Sequence, residues 1–319
     1  MTEITEALPV PSEEIHEETP PRAYLVLVIG ILAVALAAIL IRLAQAEAMP
    51  SLLIAAGRLI LAALILTPAT LRNPMFMKQI RALTRFEGLL IGISGLFLAM
   101  HFASWVTSLE YTTVLISVVL VTTSSIWVAL MEVFLLRGRL ANSVIVGLVI
   151  VLIGSIVIGS GSGIANGSSG DQLYGGLLAA FGALTVAVYM IIGKRLRPKL
   201  SLIPYIWMVY GTAAIILSIA LLVTATPITG FSTEGYLWLV ALALIPQLVG
   251  HSSLNYALGY LPATFVSIAT QAEPIGSAII AYFVFTEIPD IWQIIGSVVI
   301  LGGVIFASVG QNRANNRSK

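Results

Sequence analysis

The chain has no cysteine, only three histidines, and a charge on 10% of its 319 residues. Without cysteine there is no disulfide, thiolate metal site, iron–sulfur cluster or palmitoyl anchor, and the redox compartment stays open. Three histidines are too few for most metal cages, so no metal and no other cofactor is expected. About a quarter of an ordinary soluble chain is charged. This one is 58% hydrophobic with a mean hydropathy of +1.01, which excludes that class. The net charge of +1 comes from Lys and Arg gathered in loops, not from a basic stripe, and so argues against nucleic acid as a partner.

What the chain does have is a succession of apolar runs of about 20 residues, long enough to cross a bilayer. Ten begin near Tyr24, Ser51, Glu87, Tyr111, Asn142, Gln172, Leu202, Gly235, Pro262 and Asp290. Ahead of them, residues 1–23 carry six Glu and Pro at 9, 11, 20 and 21; this acidic segment is expected to be a disordered cytoplasmic tail. Ala44-Gln45-Ala46 resembles a signal-peptidase site. The preceding segment is acidic, though, and the run exceeds the roughly 7 to 15 residues of a signal core, so a retained helix is expected. The connections are short except for Arg72 to Phe86, the Gly/Ser-rich residues 161–171 with their flank, and Thr224 to Glu234. Residues 310–319 form a basic tail.

With the N-terminus in the cytoplasm, fourteen of the sixteen Lys and Arg fall on the cytoplasmic side; Arg42 and Arg58 are the exceptions. The positive-inside rule then places both termini in the cytoplasm of a multi-pass protein of the plasma or inner membrane.

Shifting the first half by 149 residues puts Tyr111 on Tyr260, Ser124-Ser125 on Glu273-Pro274, Gly147 on Gly296 and Gly154 on Gly303. The expected fold is therefore all-α and integral to the membrane, with ten transmembrane helices as two five-helix repeats, residues 24–160 and 172–309. Five is odd, so the second copy inserts upside down. The loops agree: Arg137 and Arg139 between spans 4 and 5 correspond to Glu287 and Asp290 between spans 9 and 10. Inverted repeats are a mark of secondary transporters, whose site lies near the bilayer midplane between the halves.

Gln271-Ala272-Glu273-Pro274, Phe285-Thr286-Glu287 and Gly296 through Leu301-Gly302-Gly303-Val304 resemble the fourth and fifth helices of a second EamA-type repeat of the drug/metabolite transporter superfamily. Ala56-Gly57-Arg58-Leu59 is similar to the Arg-bearing second helix of the first repeat, and Ala187-Val188-Tyr189 to the opening of the second. The resemblance runs from about Tyr24 to Ser308. It implies a carrier of small metabolites, often an exporter, without fixing the substrate. In the first copy the family's acidic residue after helix 4 is replaced within Arg137-Gly138-Arg139, and the polar-Pro pair is Ser124-Ser125. Helix 4 is therefore expected to be less broken than helix 9.

Polar side chains in hydrocarbon face protein or water, and an ionisable one marks a functional site by default. Gln247, His251 and Asn255 recur at i,i+4 in span 8 and form one stripe, lining a cavity or serving as interhelical hydrogen-bond glue. Glu273 lies roughly 16 Å from the inner edge of span 9, beside Pro274, which removes a backbone donor and predicts a helix break. It reads as a cavity carboxylate with Thr270 and Gly276, its sharper role being proton coupling and its alternative a structural ion pair. Gln271 lies about 200° round the helix from it and needs distortion to share the cavity. Arg58 is a fixed cation for a substrate carboxylate or phosphate, or a partner of Glu273 or Glu110, or a snorkelling residue. His101 and Trp105, with Ser94 and Ser108, share one face of span 3, a wall suited to a modest organic solute. Glu132 is expected in an interfacial pair with Arg137 and Arg139.

An enzyme is not expected, since no His-Glu-x-x-His or Gly-x-Ser-x-Gly motif occurs and no catalytic residue suggests itself. The reading is a carrier of a small-molecule metabolite, with membrane lipid around it as a further partner and protons as a candidate coupling ion, working as a monomer or weak dimer. A passive channel and a scaffold or sensor without transport remain as alternatives.

Overall fold

A computed structural model describes residues 21–136, 141–162 and 169–317. The tail at 1–20, the loop with Arg137 and Arg139, linker residues 163–168 and the last two residues lie outside them. The described residues are helical throughout, with short connections. In chain order the long rods are α1 (Pro21–Ala46), α2 (Ser51–Leu71), α3 (Arg85–Tyr111), α4 (Val114–Thr122 with Ser124–Leu136), α5 (Asn142–Ser162), α6 (Ser169–Leu196), α7 (Leu202–Val223), α8 (Thr233–Leu258), α9 (Ala263–Phe285) and α10 (Ile291–Arg317). Eight are long and apolar enough to cross a membrane; α5 and α10 hold the shorter apolar stretches Asn142–Gly154 and Ile291–Ala307. In α5 the apolar run gives out at Gly159-Ser160-Gly161-Ser162, and in α10 at Gln311-Asn312-Arg313.

The starts fall within a few residues of the sequence expectation, and the local chemistry explains the offsets. Proline suits the first helical turn, where its missing N–H has no partner to lose, and α1 opens at Pro21. The Arg72 to Phe86 connection, expected to be a loop, contains a helix over Pro74–Arg81. Asn73 caps it by accepting from the Met75 N–H at 3.0 Å, and Pro74 occupies its first turn. α3 starts with a capping box, Thr84 and Glu87 each accepting from the other's backbone N–H.

Lipid is as apolar as leucine, so small residues and close backbone approach hold such helices together. α5 lies on α10, α2 on α7, α3 on α6, α1 on α8, and α4 against α9. A Cβ at Gly147 would stand 2.5 Å from the Ala307 Cβ, and one at Gly154 2.9 Å from the Gly296 oxygen. Any side chain there forces α5 and α10 apart.

The rods are tied at two ends. At one, Arg42 Nη1 donates to the Leu109 and Thr112 oxygens at 2.9 and 3.1 Å, Gln45 donates to Ser51 Oγ at 2.8 Å, and Ser51 donates to Glu110. There Glu287 accepts from the Val114 N–H at 3.2 Å. Burial pushes the Glu287 carboxyl above its ordinary range, opposed by Arg42 and by that N–H. At the other end the cations gather. Lys194 donates to the Leu258 and Leu261 oxygens at 3.2 and 2.9 Å, Arg197 to the Asn255 oxygen at 3.0 Å, and Lys199 pairs with Glu87 at 2.7 Å.

Candidate functional site

The site begins with two interrupted helices. Hydroxyls that bond back to a carbonyl three or four residues earlier loosen a helix, and α4 stacks two of them. Thr122 and Thr123 donate to the Val119 and Leu120 oxygens at 3.0 and 2.6 Å, and the helix is interrupted at Thr123. In α9, Ser267 and Thr270 donate to the Thr264 and Ser267 oxygens at 3.0 and 2.8 Å. Pro274 then removes a donor, and Thr270–Ala272 tightens to a 3₁₀ turn. Both helices are broken, α4 over one residue and α9 over three.

The breaks face each other. Gln271 Nε2 donates to the Thr122 oxygen at 2.7 Å and to Ser125 Oγ at 2.8 Å, and Ser125 Oγ donates to the Ser267 oxygen at 2.5 Å. Gln271 thus ties α9 to the opened ladder of α4 and stands outside the cavity lining. Its expected place in the cavity is corrected on that ground: the freed carbonyl of Thr122 is the better partner.

Beside this crossing lies a cavity of about 60 Å³. His101, Trp105, Thr122 and Ser124 line it from the first half, and Tyr189, His251, Asn255, Thr270 and Glu273 from the second. Several of these groups are orientated but not saturated. His101 Nδ1 lies 2.9 Å from the Gly182 oxygen. A carbonyl only accepts, so Nδ1 carries the hydrogen and Nε2 of the neutral ring is an acceptor. The ring stacks on Trp105 with centroids 5.8 Å apart and planes at 13°. Asn255 Nδ2 donates to the Tyr189 hydroxyl and to the His251 oxygen. Its Oδ1, like the Trp105 Nε1–H, is buried without a partner. Glu273 is 8% exposed and has no hydrogen-bond partner among the described residues. The lining residues therefore include an unpartnered donor, an unpartnered acceptor and a carboxyl group beside the hydroxyls of Thr122, Ser124, Tyr189 and Thr270. Buried polar atoms without partners are uncommon and call for an occupant.

Arg58 and Gln247 form a second layer. Arg58 is fully buried; its Nε donates to Gln247 Oε1 at 3.0 Å and its guanidinium lies 4.1 Å from the Phe102 ring centre. Phe102 touches the His251 ring, centroids 5.1 Å apart. Both Nη groups of Arg58 and the Gln247 Nε2 lack partners. Neither residue lines the cavity, which corrects their expected position there. The hydrogen bond of Arg58 goes to Gln247 and its charge faces that of Glu273, whereas Glu110 is engaged by Ser51. The stripe on α8 divides because Ala243–His251 is a π-helical stretch around Pro246. Its i→i+5 bonding takes more residues per turn than an α-helix, so Gln247 swings to Arg58 while His251 and Asn255 face the cavity.

Ser94 is buried outside the cavity lining, and three further residues from the sequence reading lie elsewhere. Ser108 bonds Ser117 at 2.6 Å and serves the α3–α4 contact. Gly276 abuts Ala35 of α1. Glu132 accepts from Thr264, whereas Arg137 and Arg139 lie outside the described residues. Sequence reasoning passed over Thr122, Ser124 and Tyr189 as site residues. Tyr189 was visible only as a motif letter, and its signal was a hydroxyl buried deep in an apolar run. Among the described residues no group of three His, Asp or Glu is arranged to hold a metal.

A bundle of long apolar helices around a buried polar cavity defines a multi-pass membrane protein. The sequence profile of the EamA-like transporter family matches residues 21–160 and 173–309, so the chain belongs to that family. It is similar to an uncharacterized transporter of Archaeoglobus fulgidus, with 26% identity over 226 residues, 70% of this chain and 76% of that one. It is also similar to the uncharacterized transporter YdfC of Bacillus subtilis, with 26% identity over 199 residues, 61% of this chain and 63% of the relative. A crystal structure with 18% identity superposes with a TM-score of 0.64 over 90% of this chain and 97% of its own, a likeness of fold.

Proposed function

We propose that the protein is a secondary carrier that exports a small organic metabolite across the plasma or inner membrane by alternating access. In this reading ten helices act as two inverted five-helix repeats, and both termini are cytoplasmic. The observation that carries it is the cavity at the α4–α9 crossing, built jointly by both halves and lined by unpartnered polar groups.

The pairing of equivalent positions supports the inversion. Thr122 and Gln271 are 149 residues apart and bond each other. Gly147 approaches Gly303, the equivalent of Gly154, and Gly154 approaches Gly296, the equivalent of Gly147. As one index rises the other falls, the pattern of an antiparallel pair about a two-fold axis. A cavity of about 60 Å³ is small against the roughly 300–1,000 Å³ of organic-ligand pockets, which fits a carrier contracted around its site. The ties at both ends favour a carrier over an open channel. Glu273 is the coupling group for protons in this reading, and Arg58 behind Phe102 and His251 supplies the opposing charge.

The test starts with a metabolite screen on the purified protein by thermal shift, since a ligand that binds only the folded state raises its stability. Hits are then assayed for flux in proteoliposomes. Saturable uptake with counter-flow is the expected result; linear, non-saturable conductance would indicate a channel, and no flux for any hit a scaffold or sensor.

A further inference from the structure

On the flank of the bundle, away from the polar cavity, lies a groove of about 720 Å³ walled by α2, α7 and the start of α3. It reaches from Trp207 to Leu222, about 22 Å along α7, which is most of the ~30 Å hydrocarbon thickness of a bilayer. Glycines open it: a Cβ at Gly88 or Gly211 would meet nothing within 4 Å.

The wall has hydroxyls but none free to donate. Thr67, Thr212 and Ser218 donate to the Ala63, Met208 and Ala214 oxygens of their own helices at 2.8, 2.8 and 2.7 Å, and the Trp207 indole N–H is held by Thr67 at 2.9 Å. A solute that needs a donor finds none there, whereas a hydrocarbon chain needs none. The mouth is different. Leu83 and Gly88 line the groove at the cationic end, and the neighbouring chain carries Arg72, Lys78, Arg81 and Arg85, all exposed. None of the four is in an ion pair among the described residues, where Lys199 with Glu87 is the pair found. Lys78 and Arg81 sit on the capped helix Pro74–Arg81, whose Met75 is 65% exposed, as in a helix lying at the headgroup level.

We propose that this groove is a binding site for one anionic phospholipid, with an acyl chain along α2 and α7 and the phosphate among Lys78, Arg81 and Arg85. Juxtamembrane basic clusters attract anionic headgroups, and the groove converts that general attraction into a defined seat. The site is separate from the solute cavity.

Native mass spectrometry of the delipidated full-length protein tests it, with phosphatidylglycerol and phosphatidylcholine of identical acyl chains as probes. Wild type is expected to retain one phosphatidylglycerol with a preference of at least about tenfold over phosphatidylcholine. Gly211→Leu, whose side chain grows into the groove, should lose that lipid. Gly302→Leu, at another open position on α10, should keep it. The combined Lys78→Gln, Arg81→Gln and Arg85→Gln variant, altered only at exposed positions, should bind both lipids equally. Equal binding of the two lipids by wild type, retention by Gly211→Leu matching that of Gly302→Leu, or a second copy of the chain held in place of lipid would each overturn the proposal.

Discussion

α4 and α9 are the same helix twice, and they part company where they meet. Both break at positions that correspond under the 149-residue shift, Thr123 and Ala272. α4 breaks on threonine hydroxyls alone; α9 adds Pro274 and carries Glu273 into the cavity. The geometry of the crossing is therefore shared by both copies, while the ionisable group comes from one. Duplication supplies the frame, and divergence of a single pair, Ser124-Ser125 against Glu273-Pro274, supplies the charge.

The largest expected effect comes from removing that charge. Glu273→Gln should lower solute flux in proteoliposomes at least about tenfold, whereas Glu132→Gln, which alters a carboxylate at the far end of α4 bonded to Thr264, should leave it nearly unchanged. Next comes the tie between the two breaks. Gln271→Leu strands the Thr122 carbonyl and removes the bond that Ser125 Oγ accepts, and should lower thermal stability by about 1–3 kcal/mol, read by unfolding in detergent. Ser125→Ala removes one donor to the Ser267 oxygen. It should cost about 0.6 kcal/mol, the average for interhelical bonds in membranes. Smallest should be Pro274→Ala. α4 breaks without proline, so α9 should stay broken and transport near wild type; a large loss would show that the α9 break depends on the proline.

Helix starts, the repeat and most of the polar and aromatic cavity residues were legible in the sequence because hydropathy and spacing carry them. Glu273, Thr270, His101, Trp105, His251 and Asn255 were all singled out and all line the cavity. Gln247 was misread because a π-helical stretch cannot be seen in an i,i+4 count. Helix 4 is less broken than helix 9, one residue against three, as the absence of proline there implies. The hydrogen bond from Arg58 to Gln247 was missed because depth along two helices does not say which side chains face each other. The helix over Pro74–Arg81 was missed although Asn73-Pro74 announces its start.

The most direct test of the account is counter-flow in proteoliposomes, using a solute identified by thermal shift and comparing wild type with Glu273→Gln and Glu132→Gln. Saturable counter-flow that is cut at least about tenfold by Glu273→Gln and preserved in Glu132→Gln is the predicted result. Equal losses in the two variants, or flux that rises linearly with concentration, would contradict it.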